Sequence, residues 1–334
     1  MTHQLWALSP ATYVPHPIHR SERTWPESNC YVDLWIELLH AARLEPIAAL
    51  PFTLTIDLES DQWTFFKFPS GDLALLYGAD IFELNVWRPL PAHVDSHVAD
   101  HHPVIVEVDA FHLPDTRGTS YRTDHVKTSI AIQAIDVARR RIGYFHNAGY
   151  HQLEGADYEG VFRLDGSLSA AEYLAPYVEV VKLAPRAPAT GRTLVDRSLQ
   201  LLASHLARRP ATNPFRRYAR QFAADIEWLA SQPLVQFHRY AFATLRQFGA
   251  AFELASTYLR WLEENGEGDL GACAEPCDLI AVAAKTLQFK TARVVHTHRP
   301  FDAAPLLEMM ADAWDQVMSA LSVRYGGTVA TSAL

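Results

Sequence analysis

The sequence predicts an α+β domain followed by an all-helical one, and three observations lead there. β-branched runs with period-two alternation are confined to the first half, most clearly Pro103-Val104-Ile105-Val106-Glu107-Val108-Asp109. After residue 192, long apolar patterns with helical spacing take over. Between the two, Pro185-Arg186-Ala187-Pro188-Ala189-Thr190-Gly191 has the composition of a linker. The expected division is a first domain at 1–185, a linker at 186–192 and a helical domain at 193–325.

Taken in order, residues 1–27 carry prolines at 10, 15, 17 and 26, which exclude a long helix and leave an extended arm. A helix over 29–44 follows. Leu34, Trp35, Leu38, Leu39 and Ala42 share one face, Ser28 or Asn29 supplies the cap, and Glu45-Pro46 ends it. Residues 52–56 and 63–68 read as strands closed by a turn at 69–72, and 80–87 fits either a helix or a strand. The segment 89–103, with three prolines, reads as a loop. The strand at 103–109 comes next. His125 opens a further strand, with Val126, Ile130, Ile132 and Ala134 on one face and His125, Lys127, Ser129 and Gln133 on the other. The imidazole therefore projects from the more polar face. Residues 136–141 turn the chain, and 142–147 return antiparallel, bringing Asn147 back toward His125. A short helix at 168–173 and a strand at 178–183 complete the first domain; helices are expected at 193–208, 214–231, 234–264, 276–290 and 302–323.

Composition excludes several classes. The 334 residues carry a formal net charge of −9, which argues against a general nucleic-acid binder. Three cysteines do not make a disulfide framework. No apolar run approaches membrane-spanning length, and the N-terminus has no signal-peptide pattern. The expectation is a bacterial-type cytoplasmic protein with reduced thiols, partnered by neither nucleic acid nor membrane.

The chemistry-bearing stretch is Ser28-Asn29-Cys30-Tyr31-Val32-Asp33-Leu34-Trp35. A thiol in the first turn of a helix meets the positive end of the helix dipole, which favours the nucleophilic thiolate. The bland alternative is a small buried residue. Cysteine, then histidine at a strand start, then asparagine at the end of the neighbouring strand is the chain order of papain-like thiol enzymes. In that scheme Cys30 attacks an acyl carbon, His125 moves the proton and Asn147 fixes the imidazole tautomer. The backbone N–H of Cys30 and the Asn29 side chain would form the oxyanion hole.

On these residues the region 25–150 resembles the papain-like N-terminal domain of butirosin-type acyltransferases and, more distantly, bacteriocin-leader cysteine peptidases. The motifs are Ser28-Asn29-Cys30 at the helix start, the 103–109 strand with Leu113-Pro114 after it, and His125 opening a strand that runs to Ile135-Asp136. The whole chain also resembles a bacterial domain-of-unknown-function family. The resemblance implies transfer of an acyl, even aminoacyl, group from the phosphopantetheine thioester of an acyl or peptidyl carrier protein to a small-molecule or peptide acceptor. The protein itself would need no cofactor. Hydrolysis by a peptidase or amidase, and a non-catalytic binding protein that kept the fold, are the competing readings. The sequence departs from the pattern in two places. His125 and Asn147 stand 22 residues apart, so His146 or Asp124 remains open as the orienting group. Arg23, Thr24, Trp25, Pro26 and Glu27 occupy the region where papain places a glutamine.

Other clusters are weaker. His93, His97, His101 and His102 lack accompanying cysteines or patterned carboxylates, and Cys273 and Cys277 with His296 and His298 lack zinc-site spacing, so no metal is expected. Lys285, Lys290, Arg293 and Arg299 form a basic run in an acidic protein and are candidates for docking a carrier protein; the bland reading is a solvated helix face.

Overall fold

The computed structural model describes residues 2–164, 166, 174–183 and 188–326. In chain order the first elements are β1 (His3–Gln4), α1 (Cys30–Ala41), β2 (Leu58–Glu59), β3 (Gln62–Trp63), α2 (Ser70–Tyr77), β4 (Asp80–Glu83) and α3 (Leu90–Ala99). Then come β5 (Val104–Asp109), β6 (Lys127–Asp136), β7 (Arg141–His146), β8 (Gly149–Glu154), α4 (Ala156–Val161) and β9 (Val178–Lys182). The remainder is helical: α5 (Gly191–Leu206), α6 (Pro214–Ala230), α7 (Leu234–Ala241), α8 (Gln247–Leu262), α9 (Gly271–Thr297) and α10 (Ala304–Tyr325).

The chain divides into two compact units that are not continuous in sequence. One holds residues 1–20, 29–46 and 73–188; the other holds 21–28, 47–72 and 189–334. The reason lies in the helical unit's core. Trp63 packs against Phe215, Tyr218 and Phe248, with ring centroids 5.2, 5.6 and 4.6 Å away. Ser198 donates to the Ala48 carbonyl at 2.7 Å. Trp25 donates its indole N–H to the Ala281 carbonyl at 3.0 Å, and its ring lies so close to Gly249 that a Cβ there would come within 2.7 Å. Large aromatics from the first half thus complete a core the helices alone leave open.

The first unit is built on one antiparallel sheet of order β4-β9-β5-β6-β7-β8, with β1 pairing the far end of β6. Alternation sets its two faces. Val104, Val106, Val108, Ile130, Ile132 and Tyr144 pack with Leu90, Val94 and Val98 of α3 and with Tyr158 of α4. Phe145 and Tyr150, a cross-strand pair, point the other way and meet Tyr13 of the N-terminal arm, whose hydroxyl donates to Glu37 of α1. α1 therefore packs on β6, β7 and β8 from the face that also carries Glu107, Asp109, Lys127 and Ser129.

Several expected elements differ. Residues 52–56 are not a strand: Pro51–Thr55 form a 3-10 turn whose apolar side chains are buried in the helical unit. The turn expected at 69–72 opens α2. The segment left open at 80–87 contains β4. The histidine-bearing loop at 89–103 is largely α3, because Pro91 stands in the first turn, where no N–H is required. The linker expected at 186–192 ends earlier, since Gly191 already begins α5. α9 begins at Gly271, before Pro276 rather than at it. The short helix expected at 168–173 lies outside the described residues, as does part of the linker.

Candidate functional site

Cys30 is the first residue of α1, half-buried, with a free thiol. Asn29 caps the helix: its side-chain oxygen accepts from the Val32 N–H at 3.0 Å. A fully buried cap satisfies one of the orphan donors of the first turn. The role expected for Asn29 in an oxyanion hole thus meets a side chain turned into the helix end. The next residue, Tyr31, donates its hydroxyl to Glu179 of β9 at 2.8 Å, and Tyr177 donates to the other oxygen of the same carboxylate at 2.7 Å. Burial, reinforced by Glu179, pushes both phenols up from their ordinary range.

Tyr177 also lines a cavity of about 360 Å³ together with Glu107, Asp109, His125, Lys127 and Arg163. In that cavity the His125 ring is held from two directions. Its Nδ1 lies 2.5 Å from Asp109 Oδ2. Phe111 stacks on it with centroids 4.5 Å apart and an interplanar angle of 12°. Asp109 is itself pinned, because its Oδ1 accepts from the backbone N–H groups of Phe111 at 3.0 Å and Val126 at 3.2 Å. Partial burial works against the Asp109 carboxylate. The bond from His125 and the two backbone donors outweigh it and hold this carboxyl below its usual range. The His125 side chain is 73% exposed, and among the described residues Nε2 makes no hydrogen bond. His125 lies two residues before β6 rather than opening it, and its imidazole lines the cavity and faces solvent.

The orienting residue is the point of correction. Asn147 is not beside His125. It sits in the two-residue turn between His146 and Gly149 with a φ of +45°, a conformation asparagine tolerates well, so the turn accounts for its presence. Continuing the Ala131–Phe145 register puts it level with Ser129, four residues from His125, or about 13 Å along the strand. Asp124 is exposed and makes no hydrogen bond to the ring among the described residues. His146 belongs to a separate buried network on the α3 side: Nδ1 lies 2.5 Å from Asp115 Oδ2 and Nε2 lies 2.8 Å from Thr128 Oγ1. Against the cost of burial, His146 holds the Asp115 carboxyl below its usual range. Sequence reasoning missed Asp109 because it precedes the histidine by 16 residues. Only the β5–β6 register, Asp109 opposite Lys127, brings the two together.

Among the described residues no hydrogen bond joins the Cys30 thiol to the His125 ring, and Cys30 does not line this cavity. What the fold gives is a shared surface. α1 packs on β6, on the face of the sheet from which Lys127 of β6 and Glu107 and Asp109 of β5 project.

The family model of the DUF1839 N-terminal domain matches residues 14–183, and that of the DUF1839 C-terminal domain matches 191–323. The chain belongs to the DUF1839 family. No curated protein matches it. The Cys30 helix and the Asp109–His125 pair both fall within the DUF1839 N-terminal domain.

The remaining candidates of this DUF1839 chain are placed as follows. No group of three or more His, Cys, Asp or Glu disposed to hold a metal occurs among the described residues. Cys273 and Cys277 are buried in α9, and burial pushes both thiols up. Of the basic run, Lys285 is turned inward, with Nζ 3.6 Å from the centroid of Trp25; burial and Arg246 push its ammonium down. Lys290 lies over Phe301 at 5.6 Å, and Arg293 and Arg299 are exposed. No helix among the described residues is long and apolar enough to cross a membrane. One feature gave little warning in the sequence. His19 stands between Asp33 and Glu37, all three buried, with Nε2 3.5 Å from Asp33 and Nδ1 2.5 Å from Glu37. Its only local signal is two acids four apart among apolar positions of α1.

Proposed function

We propose that the protein is a papain-like thiol acyltransferase in which Cys30 is the nucleophile, His125 the proton carrier and Asp109 the orienting group. The observation that carries the reading is the Asp109–His125 pair. A carboxylate on Nδ1 fixes the tautomer and leaves Nε2 to exchange a proton. Cys30 opens the helix that packs on the same sheet face, as thiol enzymes of this type require.

The chemistry runs in two balanced steps. The Cys30 thiolate attacks the carbonyl carbon of a phosphopantetheine thioester, a bond forms between that carbon and Cys30, and the pantetheine sulfur leaves with the proton held by His125. An amine or hydroxyl acceptor then attacks the acyl-cysteine. His125 takes the acceptor's proton, and the Cys30 thiolate is released. The first step exchanges one thioester for another, so the site has only to position the reactants and stabilise the oxyanion. Backbone N–H groups at the start of α1 are the donors at hand. The donor would be an acyl or peptidyl carrier protein.

A second reading, hydrolysis by a cysteine amidase or peptidase, is favoured by the 73% exposure of the His125 side chain, which gives water access to the proton carrier. One experiment separates the readings. The full chain and Cys30→Ala are incubated with an acyl-pantetheine thioester and with an acyl-loaded carrier protein, and intact mass is recorded with and without an amine. A mass gain equal to the acyl group on the wild type alone, discharged to the amine, supports the transferase. Discharge to free acid regardless of amine supports the hydrolase. No adduct, with Cys30 unreactive toward iodoacetamide in the folded protein, overturns both.

A further inference from the structure

The outer face of α9 has no covering element among the described residues, yet it is patterned like an interface. Glu275, Leu279, Val282, Thr286, Phe289 and Arg293 recur at alternating intervals of four and three, which keeps them on one line of the helix. Leu279, Val282 and Phe289 are 39%, 53% and 68% exposed. The opposite side of the same helix buries Cys277, Ile280, Ala284 and Leu287. α9 therefore presents a second apolar seam in addition to the one that fills the helical core. Isolated exposed apolar residues need no explanation, but a heptad-spaced row does.

The charges at the two ends of the row decide what covers it. Glu275 and Arg293 are exposed, and neither enters an ion pair among the described residues. They have opposite signs and lie equally far from Ala284, as do Leu279 with Phe289 and Val282 with Thr286.

We propose that this face pairs with the same face of a second copy of the chain, antiparallel, about a two-fold axis at the level of Ala284. Each Glu275 then meets the Arg293 of the other copy. Each Leu279 packs on Phe289, and Val282 sits against Thr286. An isologous contact of this kind needs one self-complementary patch, which the row supplies. A parallel pairing would set Glu275 against Glu275 and Arg293 against Arg293. An acidic helix from another protein would satisfy Arg293 but repel Glu275. The row spans about 27 Å at 1.5 Å per residue. With a contact width of about 10 Å, each copy buries on the order of 300 Å², well below the ~800 Å² per partner of stable complexes. The dimer is therefore weak and concentration-dependent, with a dissociation constant in the micromolar range. This inference is independent of the activity proposed above, since it concerns only the helical unit.

Sedimentation velocity of the full chain between about 1 and about 200 µM tests it. The expected result is a monomer that converts to a dimer across that range. Phe289→Glu keeps the circular dichroism spectrum of the wild type and remains monomeric. Arg293→Glu weakens the dimer at least about tenfold, and adding Glu275→Arg to the same chain restores it, because the reversed pair is again complementary. A wild-type monomer at every concentration overturns the proposal. So does a dimer indifferent to Phe289→Glu, and so does a double reversal that fails to restore what the single reversal lost.

Discussion

Replacing His19 by glutamine should remove the pH dependence of α1 docking. His19 lies in the arm before α1, all but fully buried between Asp33 and Glu37. Glu37 also accepts from the His16 backbone N–H at 3.0 Å and from the Tyr13 hydroxyl. Burial opposes the imidazolium, but the two carboxylates beside it prevail and raise its pKa from 6.5 to about 9. A folded pKa above the unfolded one means that the ring contributes stability in full below pH 6.5 and loses it as pH rises through about 9. At 1.36 kcal/mol per pKa unit the contribution is about 3 kcal/mol. In His19→Gln the two carboxylates stay buried without a cation, so at pH 5.5 the variant should be less stable by roughly 3 kcal/mol. The gap should close toward pH 9.5, where the wild-type ring is neutral too. Hydrogen exchange of the α1 amides, followed at both pH values in wild type and variant, reads the unit that carries the cluster. Equal pH dependence in the two proteins would refute the reasoning.

Three further outcomes follow from the site and the core. Asp109→Asn should slow acyl-enzyme formation by roughly 10²–10⁴-fold, as loss of the carboxylate partner of a catalytic histidine does. Asn147→Gly, which suits the same left-handed turn, should leave the rate unchanged; burst kinetics with a pantetheine thioester reads both, and a large loss in Asn147→Gly would restore the asparagine to the site. Iodoacetamide should label Cys30 in the folded chain and spare Cys273 and Cys277 until denaturant is added, because only the latter two are buried in α9. Peptide mapping shows which thiol reacts, and early modification of either α9 cysteine would contradict the packing. Gly249→Ala should cost about 1–3 kcal/mol, because its Cβ would press on a Trp25 ring fixed by Ala281 and Lys285. Gly118→Ala, with nothing within 4 Å, is the control in the same denaturant titration.

What the sequence disclosed depended on how local the cause was. The strand at 103–109 and the hairpin around 136–141 were legible because β-branched alternation and a polar turn are written into neighbouring residues. The start of α1 was legible from its cap. Residues 52–56 were not, since a short apolar run looks the same whether it lies in a sheet or in a buried 3-10 turn, and only the distant helical core decides. α3 was hidden by prolines that read as a loop yet suit a helix start. Cys30 and His125 stood out as candidates by residue type and position. Asp109 and the buried His19 cluster did not, because Asp109 reaches His125 across a strand pair and His19 reaches Glu37 from the arm.

Stability alone does not account for the Asp109–His125 pair. The β5–β6 pair carries two such acid–base contacts on the same face of the sheet as α1. Glu107 meets Lys127 at 2.7 Å, and Asp109 meets His125 at 2.5 Å. Both basic partners are largely exposed, and exposed pairs contribute only about 0–1 kcal/mol. The Glu107–Lys127 contact is an ordinary surface ion pair of that kind. The second pair has more: two backbone N–H groups hold the carboxylate, and an aromatic ring lies flat on the imidazole. Those contacts add little to folding for a ring that is mostly in water, but they remove its rotational freedom. A fixed, solvent-facing imidazole with one nitrogen engaged and the other unbonded is organised for proton exchange at a set position. That is why the functional reading rests on Asp109 and His125 together, and why loss of the carboxylate should lower the rate far more than the stability.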